Sequence, residues 1–246
     1  MARRLFPFRA RRHDASQRAS AKPKRRWLRR ILWSLLILFL APHVVLLIYR
    51  FVPPPITPLM VLRLVEGEGL HKDWVPLEQI AVYLPRSVIS SEDNRFCSHG
   101  GVDWEEMNQI IAQYRAGKET RGASTITMQT VKNLILWPGR DVLRKGLEIY
   151  FAEYIELIWP KTRIMEVYLN IAEWGPGIYG AETASQTYFK RPAVQLTPAQ
   201  ASLLAAVLPS PREWSAARPG PYVSERSSII RYRVEQLGSF LDCINR

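Results

Sequence analysis

Two cysteines in 246 residues, Cys97 and Cys243, are too few for a small secreted scaffold stapled by disulfides. In an oxidising compartment the two could pair. Two unpaired thiols are the expectation, because Cys243 falls in a stretch that reads as a frayed C-terminus. No cluster of metal-ligating residues stands out. Strand patterns are scarce, and no internal repeat is visible. Acidic residues are almost missing from the first thirty positions, which hold 12 Lys/Arg and one Asp. The net charge of +12 therefore sits in a tail, since the other 216 residues carry 22 basic and 21 acidic groups. A nucleic-acid-binding domain needs its basic patch on a folded face, so that class is set aside.

After the tail comes a run without formal charge, from Ile31 to Tyr49. As a helix its 19 residues span about 28 Å, close to the thickness of a bilayer core. The run is apolar on every face, unlike a core helix of a soluble domain. Pro42 is tolerable in a membrane helix, whereas His43 is costly unless neutral or near an interface. No small-residue cleavage site comes after it, so the reading is an uncleaved anchor. The positive-inside rule puts residues 1–30 in the cytoplasm and everything beyond Arg50 outside the inner membrane. Residues 50–76, with Pro53-Pro54-Pro55, read as a stiff spacer, and 77–246 as the catalytic domain.

From Leu77 onward helical periodicity dominates. Helices are expected over 102–115 with Asp103 as N-cap, 123–136 after the cap residues Ser124 and Thr125, and 141–158, ending at Pro160. Further helices are expected from Lys161 through Leu169 and over 181–189, 198–207 and 222–237. The fold class is mainly α, preceded by one N-terminal transmembrane helix.

Five polar blocks carry the chemistry. The first runs Ser91-Glu-Asp-Asn-Arg-Phe-Cys-Ser-His-Gly-Gly101. In it Glu92 is the leading candidate, with Phe96 and His99 close enough to form a partly apolar wall, the usual means of raising a carboxyl pKa. Asp93 reads as a hydrogen-bond acceptor and His99 as a positioning group. The second block, Gly122-Ala-Ser-Thr-Ile-Thr-Met-Gln129, sets small and hydroxyl residues at a helix start, where free N–H groups attract phosphate. Lys132 and Asn133 come next, and Lys132 brings a point charge. The third block is Arg144-Lys-Gly-Leu-Glu148, with Arg144 and Glu148 sharing a helix face at i and i+4. Lys145 is a weaker candidate, and Glu153 and Glu156 read as structural. The fourth, 164–190, contains Tyr168-Leu-Asn170 and Tyr179-Gly-Ala-Glu182; packing alone could explain it. The fifth, 196–211, reads as core. Leu134-Ile-Leu-Trp137 beside the second block is either buried core or a second membrane contact, the two weighed equally.

The order and content of these blocks, over about 77–211, resemble the family 51 peptidoglycan glycosyltransferases. These occur as monofunctional biosynthetic transglycosylases and as the first domain of class A penicillin-binding proteins. The resemblance implies a lysozyme-like, two-lobed helical domain that polymerises lipid II with inversion and releases undecaprenyl diphosphate. In that frame Glu92 is the base for the acceptor 4-hydroxyl. Thr125, Gln129, Lys132 and Asn133 face the cleft, with Ser124 a cap. Arg144, joined by Lys145, meets the diphosphate. Glu148 orients that cation or assists the leaving group. A divalent cation, magnesium or manganese, would suit the phosphates, although no dedicated ligand set is visible. The implied partners are lipid II, the growing glycan and the membrane, with transpeptidases or divisome proteins as further candidates, because the Ser-x-x-Lys and Lys-Thr-Gly motifs of transpeptidases are absent. The implied location is the bacterial inner membrane, catalytic domain in the periplasm. The rivals are a lytic transglycosylase or muramidase and a non-enzymatic wall-binding scaffold. The Lys132/Arg144 pair argues against the first, and the paired glutamates against the second.

Overall fold

The computed structural model describes residues 23–118, 122–139 and 141–244. Most of the basic tail, residues 1–22, lies outside the described residues. The chain divides into two units, one ending at Val45 and one running from Leu46. The described part of the first is most of helix α1, Pro23–Tyr49, which starts earlier than the expected 31. The stretch Arg26–Tyr49 is long and apolar enough to cross a membrane. Its large side chains from Trp27 to Leu40 are exposed, an arrangement that suits lipid rather than water. His43 is accommodated locally, its Nδ1 lying 2.8 Å from the Phe39 carbonyl one turn back.

In the second unit the segment expected as a spacer is folded structure. Helix α2, Pro58–Val65, begins with Thr57 capping Met60 N–H at 3.3 Å and with proline in its first turn. Met60 is fully buried. Strand β1, His71–Lys72, pairs parallel with β3, Ile178–Tyr179, which pairs antiparallel with β2, Glu173–Gly175. Asn170 clamps Val75, accepting from its N–H at 3.0 Å and donating to its carbonyl at 2.9 Å. Arg163 donates to the carbonyls of Tyr49 and Val52. These long-range bonds tie the segment to the rest of the second unit.

The remaining helices are α3 (Tyr83–Glu92), α4 (Trp104–Arg115), α5 (Ile126–Ile135), α6 (Val142–Ile158), α7 (Lys161–Ile171), α8 (Ala181–Phe189), α9 (Pro198–Val207) and α10 (Pro221–Leu237). Helix α9 packs against α3 and α10, while α5 packs against α6 and α7. One large core joins these elements. A small second core of Val102, Met128 and Ala152 lies between the loop before α4, α5 and α6. Leu134 and Leu136 are buried at 3% and 5% exposure, which favours the core reading of that run, and only Trp137 is exposed.

The cysteines are paired, correcting the expectation of two thiols. Cys97 and Cys243 form a disulfide across 146 residues. The C-terminal stretch that looked frayed is a 3-10 turn, with Leu241 and Ile244 buried. That burial brings Cys243 to the loop after α3, a non-local contact that local sequence does not report.

Candidate active site

Helix α3 drives Leu84, Val88 and Ile89 into the core and ends at Glu92. The chain then turns sharply, and Asp93 fixes the turn. Its carboxylate meets His99 Nε2 at 2.9 and 3.1 Å and accepts from Ile126 N–H, the start of α5, at 3.0 Å. The loop is held at three further points. Cys97 carries the disulfide, Lys161 donates to the His99 carbonyl at 2.8 Å, and Thr125 donates to the Gly101 carbonyl at 2.5 Å. Gly101 sits at φ +95°, where an added Cβ would meet the Ala152 carbonyl oxygen at 2.7 Å. Phe96 is fully buried, with the Lys161 ammonium 4.5 Å from its ring centroid. Phe96 and His99 thus underpin the loop that carries Glu92.

Glu92 lines a cavity of about 500 Å³ with Asp93, Ser124, Thr125, Gln129, Tyr222 and Arg226 among its neighbours. Its side chain is 13% exposed. One oxygen accepts from Gln129 Nε2 at 3.1 Å. The other lies 3.6 Å from Arg226, beyond hydrogen-bond length. Burial pushes the Glu92 carboxyl above its ordinary value. The Gln129 bond, Arg226 and Lys132 pull the other way, and Asp93 adds to the rise.

Glu148, on α6, is treated differently. It is 2% exposed, and both oxygens are engaged, by Arg144 at 2.7 Å and Lys145 at 2.8 Å. Lys145 also donates to Ser124 Oγ at 2.8 Å. Lys132, on α5, completes a cluster of three cations around one carboxylate. Burial lowers the Lys132 pKa, Glu148 and Glu92 oppose that, and Arg144 and Lys145 add to it. Arg144 Nε is buried without a hydrogen-bond partner. Excess positive charge and an unused donor together could hold an anion.

The helix start differs from expectation in one respect. Thr125 is the N-cap of α5, accepting from Met128 N–H at 3.1 Å, and Ser124 instead accepts from Lys145. At 3% exposure the Thr125 hydroxyl is committed to the cap and to Gly101, so its contribution is to shape the helix start. Asn133 is half-buried on α5. Glu156 accepts from Thr127 and Lys161, both at 2.7 Å, and Glu153 from Trp104 at 3.1 Å. Among the described residues no group of three or more His, Cys, Asp or Glu is arranged to hold a metal ion. Glu148, the carboxylate within the cationic cluster, already has both oxygens on cations. This donor set does not fit a resident divalent ion, and the compensating charge available is that of Lys132, Arg144 and Lys145.

Two site residues escaped sequence reasoning. Arg226 comes from α10, far along the chain from Glu92. Tyr168, fully buried on α7, donates to Gln129 Oε1 at 3.1 Å. The signal for Tyr168 was present in the fourth block but fitted packing equally well.

The transglycosylase family model matches residues 60–235, from α2 almost to the end of α10. The chain is 51% identical over 207 residues to the biosynthetic peptidoglycan transglycosylase of Caulobacter vibrioides, covering 84% of this chain and 90% of that one. It is 52% identical to the protein of the same name from Bdellovibrio bacteriovorus, over 85% of each chain. With that of Agrobacterium fabrum the identity is 46%, over 88% of this chain and 96% of the other. A partly buried carboxylate beside an anion-seeking cluster, on a helical scaffold matched over most of its length, fits one assignment: the chain belongs to the transglycosylase family.

Proposed function

We propose that the protein polymerises lipid II into glycan strands, with Glu92 as base and the Lys132–Arg144–Lys145 cluster as the seat of the leaving diphosphate. It is a peptidoglycan glycosyltransferase of cell-wall synthesis, in keeping with its family. The observation that carries the division of labour is the contrast in charge between the two carboxylates. Glu92 borders an open cavity with one hydrogen bond, whereas Glu148 is neutralised by two cations.

Glu92 removes the proton from the acceptor sugar 4-hydroxyl as that oxygen attacks the donor anomeric carbon. A carboxyl pKa raised by burial makes Glu92 a stronger base once ionised. The bond to the lipid diphosphate breaks on the opposite face, and the products are the lengthened strand and undecaprenyl diphosphate. Lys132, Arg144 and Lys145 receive the negative charge that develops on the departing phosphate. Glu148 keeps Arg144 and Lys145 in register and offsets part of the repulsion among the three clustered cations.

Residues 1–30 lie in the cytoplasm in this reading and the catalytic domain in the periplasm, since the basic residues precede the apolar span. Transpeptidases or divisome proteins are the expected partners of the strands it makes. The test is incubation with labelled lipid II. Polymer supports the reading. Unchanged lipid II supports a scaffold, and cleavage of preformed glycan supports a muramidase. Alkaline phosphatase fused after Pro55 should be active, and an inactive fusion would reverse the orientation.

A further inference from the structure

We propose that Tyr168 is a positioning residue for Glu92, acting through the side-chain amide of Gln129. The inference rests on Glu92 being the base. Two hydrogen bonds run in series, from Tyr168 Oη to Gln129 Oε1 and from Gln129 Nε2 to Glu92 Oε2, each 3.1 Å long. They join α7, α5 and the end of α3, elements remote from one another in sequence.

The two ends of a glutamine amide have nearly the same shape but opposite hydrogen-bond character. Something must decide which end faces the base. With Nε2 toward Glu92, the amide donates and favours the ionised carboxylate, the form able to take a proton. With the amide turned over, Oε1 faces Glu92 and favours the protonated form. Tyr168 biases this choice. Its side chain is 1% exposed, so no bulk water competes for the hydroxyl. Burial, then the charges of Glu92 and Asp93, push its ionisation far upward, so it remains a donor across the working pH range. With the hydroxyl donating to Oε1, as it does here, Nε2 is left for Glu92. The other charged groups acting on Glu92 are Arg226, Lys132 and Asp93, and none of them orients the amide. Without the Tyr168 hydroxyl the turned amide loses no partner on that side, and the balance moves toward protonated Glu92.

The test is the pH dependence of lipid II turnover in wild type and Tyr168→Phe, which keeps the ring and removes one oxygen. Loss of one oriented hydrogen bond should move the acid limb upward by about 0.5–1 pH unit. Turnover on the high-pH plateau and KM should stay within about twofold, because Glu92 is then ionised in both proteins. A purely structural Tyr168 would lower the plateau or the melting temperature and leave the limb in place. In a Gln129→Met background, Tyr168→Phe should move nothing further. An unmoved limb in Tyr168→Phe, or an equal shift in the Gln129→Met background, would overturn the proposal. If the phenylalanine variant does not fold, 3-fluorotyrosine at position 168 keeps ring and hydroxyl and is a stronger donor. The limb should then move downward, and an unmoved limb overturns the proposal. Failure of the base reading is separable, since Glu92→Gln would then retain turnover and the same acid limb.

Discussion

Glu92 and Glu148 are the same residue type at two ends of one site, and the fold handles them in opposite ways. Glu148 lies on a helix with two cations at i−4 and i−3, so its partners come with the local sequence. Glu92 ends a helix, and the groups around it come from α5, α7 and α10. One carboxylate is neutralised by its own helix. The other is left poorly compensated by tertiary structure. The lesson is that helical spacing alone supplied the partners of Glu148, whereas Glu92 depends on the tertiary fold for its partners beside a cavity, the setting that the proposed function assigns to the base.

The comparison breaks most sharply at Glu92. Glu92→Gln should lower lipid II turnover by about 10²–10⁴-fold, the usual loss for a general base. It should also raise the melting temperature at pH 7. The sign comes from linkage. A carboxyl pKa raised by burial means the folded state binds protons that the unfolded chain has already released. Stability therefore falls as pH rises from the unfolded value through the folded value. The gain from Glu92→Gln is then full above that window and vanishes below it. Differential scanning calorimetry at pH 4 and pH 7 would show whether it does.

Glu148→Gln should reduce turnover less and stability more. It leaves Arg144 buried without its carboxylate, a loss of about 3–5 kcal/mol for a broken buried pair. Chemical denaturation reads the loss, and a change under about 1 kcal/mol would make this pair no different from a surface one. Next come Lys132→Ala and Arg144→Ala. Each should weaken binding of a phosphoglycolipid donor mimic by about 10–100-fold, as loss of a charge-assisted bond requires. Equal affinity in wild type and both variants would reduce the cluster to structural cations. The smallest effect on turnover is expected from Cys243→Ser. Opening a cross-link over 146 residues should cost about 2–5 kcal/mol of stability while turnover at 25 °C falls less than tenfold.

Local signals in the chain were legible and long-range ones were not. Asp103 caps its helix as expected, accepting from Glu106 N–H, because an aspartate before an amphipathic run is a short-range device. The Arg144–Glu148 pair was visible for the same reason. Thr125 rather than Ser124 as cap is a difference of one residue, decided by where the loop meets Gly101. The folded state of residues 50–76, the disulfide, and the approach of Arg226 and Tyr168 to the site all depend on contacts between distant segments. Val75 meets Asn170 and Cys97 meets Cys243, and no local pattern encodes either.

The central claim is that Glu92, kept partly buried, hydrogen-bonded to Gln129 and 3.6 Å from Arg226, is the group whose ionisation switches the enzyme on. Its most direct test is the pH profile of lipid II polymerisation by wild type and Glu92→Gln under conditions where both remain folded. The account predicts an acid limb in wild type with its midpoint above the ordinary carboxylate range, and residual turnover in Glu92→Gln that lacks this limb. A limb at or below the ordinary carboxylate value, or the same limb in Glu92→Gln, would contradict it.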